Sequence, residues 1–566
     1  MSTCANSCWP YPPLPLQSSN LVATFPSPFF IAPKTLRDLL LGHEELALLD
    51  VREARAHVTG HLNLARLAPL SGLELEVRAL VPRLDTLVVL ADGGEPTGPA
   101  LLASELLHRL GYTEVHVLAG GTAAWLAAGF QLIDGYGTLV KAFGDLVRRH
   151  YATPTLNGDA LRADQAARNA ATFIDVRPAG EYAFLSLPGA GNHAGTELAL
   201  RRWPAVVDTD APGRTWVVNC FSRTRGIIGT TTLRLLGHTD AYFLEDGVMQ
   251  WALDGAPVVQ NAIPGVELPE ASNDVLRRRA QGLIDRYQLP LLQPDALLRF
   301  QAEDHRTLYV FDLRPQAAAH GPHAGVRAVP GGQLLMHFEN LIGTRHARIV
   351  LLDDTHRLRA AVTAFWLVQL NQAEVFILDG ALPPTWRADR HGDGVDIGIS
   401  ATAPQPLTPH ELTVLLHDTP DLIHIVDVGP SIEYERQHLP HASFMLPVTL
   451  EPLEPLVAWR QSGHRIVFTS PDGRAARLAA RDACARWPGS NAAWLRGGTQ
   501  EWRAAGLPVE QAWDAAQRLT PFDDDWGSVM RVPATRRDRA WRDYLAWERG
   551  LSARVLDDPT VRFRLF

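Results

Sequence analysis

The stretch Ala171-Thr-Phe-Ile-Asp175-Val is an apolar run closed by an aspartate and a second apolar residue, and the chain repeats it. Leu46-Ala-Leu-Leu-Asp50-Val, Leu308-Tyr-Val-Phe-Asp312-Leu and Ile423-His-Ile-Val-Asp427-Val have the same form. Each reads as a short, fully buried strand with an acid at its C-terminal end. Downstream of each comes a second apolar run and then an abrupt polar loop, beginning at Asp92, Cys220, Asp353 and Ser470. These positions follow the four aspartates by 42, 45, 41 and 43 residues, a regularity that marks an internal repeat.

A helical stretch follows each loop, such as Gly98 to Gly111. Then come a short apolar run and a turn with glycine: Gly120-Gly121, Asp246-Gly247, Asp379-Gly380 and Gly497-Gly498. A tryptophan lies just beyond each turn, at Trp125, Trp251, Trp386 and Trp502. These rings are expected to pack in the core at the start of a last helix, and the glycines to supply a positive φ. The order of elements predicts an α/β class, each unit a mainly parallel sheet flanked by helices. Sites in such sheets form at the C-terminal ends of strands, where the four loops lie. The repeat divides the chain into units over 28–133, 151–259, 290–397 and 408–511. Residues 1–27 read as a flexible Pro-rich tail. Helical segments join neighbouring units, notably Asn273 to Tyr287. A C-terminal extension, 512–566, carries a predicted helix from Arg536 to Gly550. Its Trp541, Tyr544 and Trp547 fall three apart and are expected to dock this helical tail on a neighbouring unit.

Composition narrows the class. The chain of 566 residues is 46% hydrophobic and 20% charged, with a net charge of −9, so no global basic field draws it to nucleic acid. No apolar stretch approaches the roughly 20 residues of a membrane span. Four scattered cysteines, Cys4, Cys8, Cys220 and Cys484, are too sparse for a disulfide framework and fit a reducing, cytoplasmic setting. His193 and the other histidines show no paired ligand spacing, so neither metal nor cofactor is expected.

Only the second loop places a cysteine after its strand: Trp216-Val-Val-Asn-Cys220-Phe-Ser-Arg-Thr-Arg225-Gly226, with a helix predicted from Ile227 to Leu236. Successive backbone N–H groups in such a loop curl into an anion nest, and the helix adds its positive end. Both favour thiolate over thiol, and the thiolate is the nucleophile. Arg223 and Arg225 are expected to add two cations that attract a doubly anionic substrate. The bland reading, a small buried hydrophobe, suits Cys484 on the helix after Ser470 better than it suits Cys220.

The run Asp175-Val-Arg177-Pro, the following Glu181-Tyr182, the Pro188-Gly-Ala190 turn, the Cys loop and the Asp-Gly-x-x-x-Trp ending resemble the rhodanese family. The likeness extends in four tandem copies from about Pro28 to Gln511. It implies a rhodanese-type thiosulfate sulfurtransferase with Cys220 as persulfide carrier. Phe221, Ser222, Arg223, Thr224 and Arg225 would form the anion cradle, Arg225 standing at the family's loop-closing position. Asp175 and Arg177 would match the family's Asp-x-Arg, fixing strand end and loop by ion pairs. The implied partners are a small anionic sulfur donor and a cyanide or thiol acceptor. Arg223 stands where the family often has Gly, Leu185-Ser186 replaces its Gly-His, and Gly429 replaces the Arg of the fourth copy. The other three units carry Asp92, Asp353 and Ser470 at the nucleophile position, which implies inactive, structural or gating domains. Two rivals remain. One is a Cys-based phosphatase, whose Cys-x5-Arg cradle is one residue longer than the Cys-x4-Arg here. The other is a non-catalytic interaction or sulfur-sensing scaffold.

Overall fold

The computed structural model describes residues 29–164, 170–203, 215–315, 325–387, 404–447, 454–487 and 489–566; the Pro-rich tail, with Cys4 and Cys8, lies outside the described residues. Every repeated apolar run becomes a strand, buried along most of its length in the first, third and fourth units and only at Ile174 and Asp175 in the second. In the second unit the strands lie side by side in the order Thr155–Leu156, Ala241–Leu244, Thr215–Asn219, Ala171–Asp175 and Gly191–Asn192, all pairs parallel. Numbered along the unit this is 1-5-4-2-3, and the other three sheets share it. The chain is therefore four tandem α/β domains, as the repeat predicts. One strand breaks the pattern: Thr344–Arg345 of the third unit joins the first unit's sheet, antiparallel to Leu46–Asp50.

The first three units share one core. The helix Leu358–Leu370 is apolar on nearly every face and is buried accordingly. It packs on Asn273–Tyr287, and its Trp366 donates to Thr232 of the second unit at 3.0 Å. The fourth unit has cores of its own and meets the first through the Arg481–Glu74 ion pair. Trp125, Trp251 and Trp502 lie buried on the last helix of their units and donate to carbonyls six residues on. Trp386 differs from expectation: it follows a turn rather than sitting on a helix.

Two helix limits shift. The helix after the Cys loop spans Thr224–Leu235, so Arg225 stands inside its first turn. The C-terminal helix runs from Ala534 to Leu556, longer at both ends than its aromatic spacing alone indicates. No helix among the described residues is long and apolar enough to cross a membrane.

Tyr309 ties the first and third units. Its buried hydroxyl donates to the Leu80 carbonyl and accepts from the Thr344 N–H at 3.1 Å. Tyr309→Phe strands both groups in the interface, so it should cost about 1–3 kcal/mol, read as a lowered urea midpoint.

Candidate active site

The loop of interest leaves the strand Thr215–Asn219 and is held by backbone on its inner side. The Val248 N–H donates to the Cys220 carbonyl at 3.0 Å and the Met249 N–H to the Phe221 carbonyl at 2.9 Å. This contact requires Gly247: its φ is +60°, and a Cβ there would stand 2.3 Å from the Cys220 carbonyl oxygen. The same bond recurs from Thr122 to Asp92 and from Thr499 to Ser470.

Beneath the loop, Asp175 and Arg177 form a fully buried pair, with Arg177 donating at 3.0 and 2.7 Å. Asn219, the residue before Cys220, donates to the same carboxylate at 3.0 Å. The pair thus braces the strand end that presents the cysteine, the arrangement its sequence match implies. It recurs as Asp50–Arg52 and Asp312–Arg314. In the fourth unit a Cβ at Gly429 would lie 2.5 Å from Pro471, so no arginine fits there. Among the described residues Asp427 accepts from the Gly429 N–H and has no arginine beside it, and burial pushes its carboxyl up to about 7.

Cys220 is 2% exposed. Its sulfur accepts from the Gly226 N–H, and Arg225 stands near enough to favour the thiolate, yet burial outweighs both and pushes the thiol up. The expected thiolate-favouring balance is therefore corrected by desolvation. The two expected cations are each paired with carboxylates. Arg225 forks onto Glu181 with both bonds at 2.6 Å. Arg223 bridges Asp246 at 2.9 Å and Asp145 at 2.7 Å. Phe221, Ser222 and Thr224 complete the loop and are buried.

What covers them was not legible from the motif. The C-terminal helix lies across the loop, with Trp541 edge-on to Phe221 at 5.4 Å. Tyr544 and Glu548 both engage the Ser222 hydroxyl. Glu548 is 3% exposed with one carboxylate oxygen unpaired, and burial raises its carboxyl. Lys141 places its ammonium over the Tyr544 and Trp547 rings at 6.0 and 5.5 Å. The aromatic spacing predicted docking; the surface it docks on lies more than three hundred residues away.

The other loops fill the same place from within. Asp92 accepts from Gly94 and Ala100 at 2.8 and 3.1 Å, and Asp353 from Asp354 and Ala360 at 2.7 and 3.1 Å. Ser470 accepts from Ala476 at 3.3 Å. Each takes the helix-start N–H that Gly226 gives to Cys220, so the substituted side chain occupies the nest as its own anion or hydroxyl. Among the described residues Asp353, Asp354 and His356 come close enough to hold a metal ion, but Arg359 already lies at 3.4 and 2.9 Å from the two carboxylates.

Comparison with protein families matches the Rhodanese-like domain over residues 32–128, 159–254 and 408–505. The third unit is outside these matches but has the same strand order. Comparison with curated proteins gives no match. Among solved structures, the chain is similar to a thiosulfate sulfurtransferase from Pseudomonas aeruginosa at 32% identity, over 95% of this chain and 100% of that one, with a TM-score of 0.82. SseA from Escherichia coli, described among 3-mercaptopyruvate sulfotransferases, matches at 19% identity over 40% of this chain and 98% of that one, with a TM-score of 0.19.

The unpaired Asp427 gives a pH test. Its carboxyl is higher in the folded state than in the unfolded one, so the folded state binds the extra proton. Stability is favoured below about pH 4 and declines as pH rises towards 7. Asp427→Asn should therefore stabilise the protein by about 2–4 kcal/mol at pH 8 and leave it unchanged at pH 4, measured by urea unfolding at both values.

Proposed function

The chain belongs to the rhodanese-like family, and from that premise we propose that it moves sulfane sulfur through a persulfide on Cys220. One observation carries the reading: in four strand-end loops the side chain at one position takes a helix-start N–H, and one of them has a sulfur where the others have an oxygen. The similarity to a thiosulfate sulfurtransferase over nearly the full length supports it.

In the proposed reaction the Cys220 thiolate attacks the outer sulfur of thiosulfate or a similar anionic donor. A new S–S bond forms to Cys220, the donor's S–S bond breaks, and sulfite leaves with the bonding electrons. Cyanide or a thiolate then takes the outer sulfur, giving thiocyanate or a new persulfide, and Cys220 departs as thiolate. The Gly226 N–H and Arg225 act on the sulfur. Glu181 fixes the Arg225 fork. Asp175, Arg177 and Arg223 position the loop through their ion pairs. A second reading, four binding modules without catalysis, draws on the covered thiol and its raised pKa.

Incubation with thiosulfate should add one sulfur to Cys220, seen by mass spectrometry of the intact chain. Cys220→Ser should reduce thiosulfate-to-cyanide transfer to background while Cys484→Ser retains it. An unloaded Cys220 would leave the scaffold reading in place.

Because burial raises the thiol, the thiolate fraction grows as pH rises. The rate of sulfur loading should accordingly still be climbing between about pH 7 and 9, followed by stopped-time mass measurements. A plateau near neutrality would mean that the loop overcomes desolvation.

A further inference from the structure

The residues that close the Cys220 loop off from solvent come from the far end of the chain. On the C-terminal helix Ala534–Leu556, Trp541, Tyr544, Glu548, Arg549 and Ser552 fall on one face at helical spacing. All five reach the loop or its supports. Trp541 meets Phe221, and Tyr544 and Glu548 meet Ser222. Arg549 pairs with Asp246 and Ser552 donates to Asp145, the two carboxylates that hold Arg223. The fit is close, since a Cβ at Gly135 would lie 2.1 Å from Trp547.

A persulfide would place its outer sulfur about 2 Å beyond the Cys220 sulfur, still within this enclosure. An acceptor must approach that sulfur along the S–S axis, so the size of the opening decides which acceptors react. On the other side of Arg225, between the second and third units, an apolar cleft lined by Val176, Met336 and Trp366 offers about 50 Å³, room for a few water-sized groups. With the helix seated Cys220 is 2% exposed, and the cleft beyond Arg225 is not lined by it.

We infer that Tyr544 and Glu548 belong to the wall of the sulfur-transfer site and that the C-terminal helix restricts it to small acceptors. The inference rests on the persulfide reading of Cys220 for its consequence in turnover, but its geometry is testable without turnover. Tyr544 is the partly exposed member of the wall, so its truncation opens the site with least damage to packing. Arg549 is half exposed, and its loss loosens the helix without touching the core.

The test compares the full-length protein with Tyr544→Ala and Arg549→Ala, with urea unfolding to verify that each variant is folded. Acceptor selectivity is read as kcat/KM for glutathione divided by kcat/KM for cyanide, with thiosulfate as donor. The ratio should rise about tenfold in Tyr544→Ala and by a smaller factor in Arg549→Ala. In parallel, the rate of Cys220 labelling by a bulky fluorescein maleimide, relative to iodoacetamide, should rise in the same order. An unchanged ratio in both measurements overturns the wall. A changed labelling ratio without sulfur loading keeps the wall and rejects the persulfide reading. Sulfur loading with unchanged ratios keeps the persulfide reading and rejects the wall.

Discussion

A single backbone hydrogen bond, from Val248 to the carbonyl of Cys220, sets the geometry on which the site depends. It pins the loop at the end of the fourth strand to the first turn of the last helix, and only glycine at 247 lets the two backbones approach. With the inner side fixed, the next helix begins early enough to aim the Gly226 N–H at position 220. The bond recurs in the first and fourth units, so the frame is independent of chemistry. What varies is the side chain placed in it. The helix-start N–H goes to sulfur in the second unit and to a carboxylate or hydroxyl oxygen in the others.

The electrostatics around Cys220 follow from burial rather than from a count of cations. Both loop arginines are bound to carboxylates, so Arg225 offsets only part of the cost of burying the thiolate. Burying such pairs contributes little to stability relative to apolar packing, but breaking one leaves a charge without a partner. Arg223 is therefore a fixture of loop shape, and Arg225 serves both loop shape and the thiolate. Desolvation remains the largest influence on the thiol.

The three units without a cysteine at the strand-end position contribute to packing. The third lends a strand to the first unit's sheet and an almost fully buried helix to the common core. Its Arg359 reaches Glu197 of the second unit at 2.5 Å. The fourth unit replaces the bracing arginine by Gly429 because Pro471 fills the space, and it accepts an unpaired buried carboxyl as the consequence. A carboxylate or hydroxyl in place of the sulfur thus leaves the sheets intact.

The repeat, the buried parallel strands, the Asp-x-Arg brace and the unique cysteine at a strand end were all readable from the sequence, because each is written in contiguous residues. Strand burial follows from a local apolar run, and the brace spans two positions. The charge state of the site was not readable in this way. Arg223 finds Asp145 and Arg225 finds Glu181, and neither carboxylate lies in the loop. The aromatic residues of the last helix declared that it docks, but nothing local told it where. Tertiary structure alone decided that this helix seals Cys220, that the arginines are neutralised and that the thiol is raised, because Coulomb attraction and desolvation depend on distance in space, and folding brings residue 548 against residue 222.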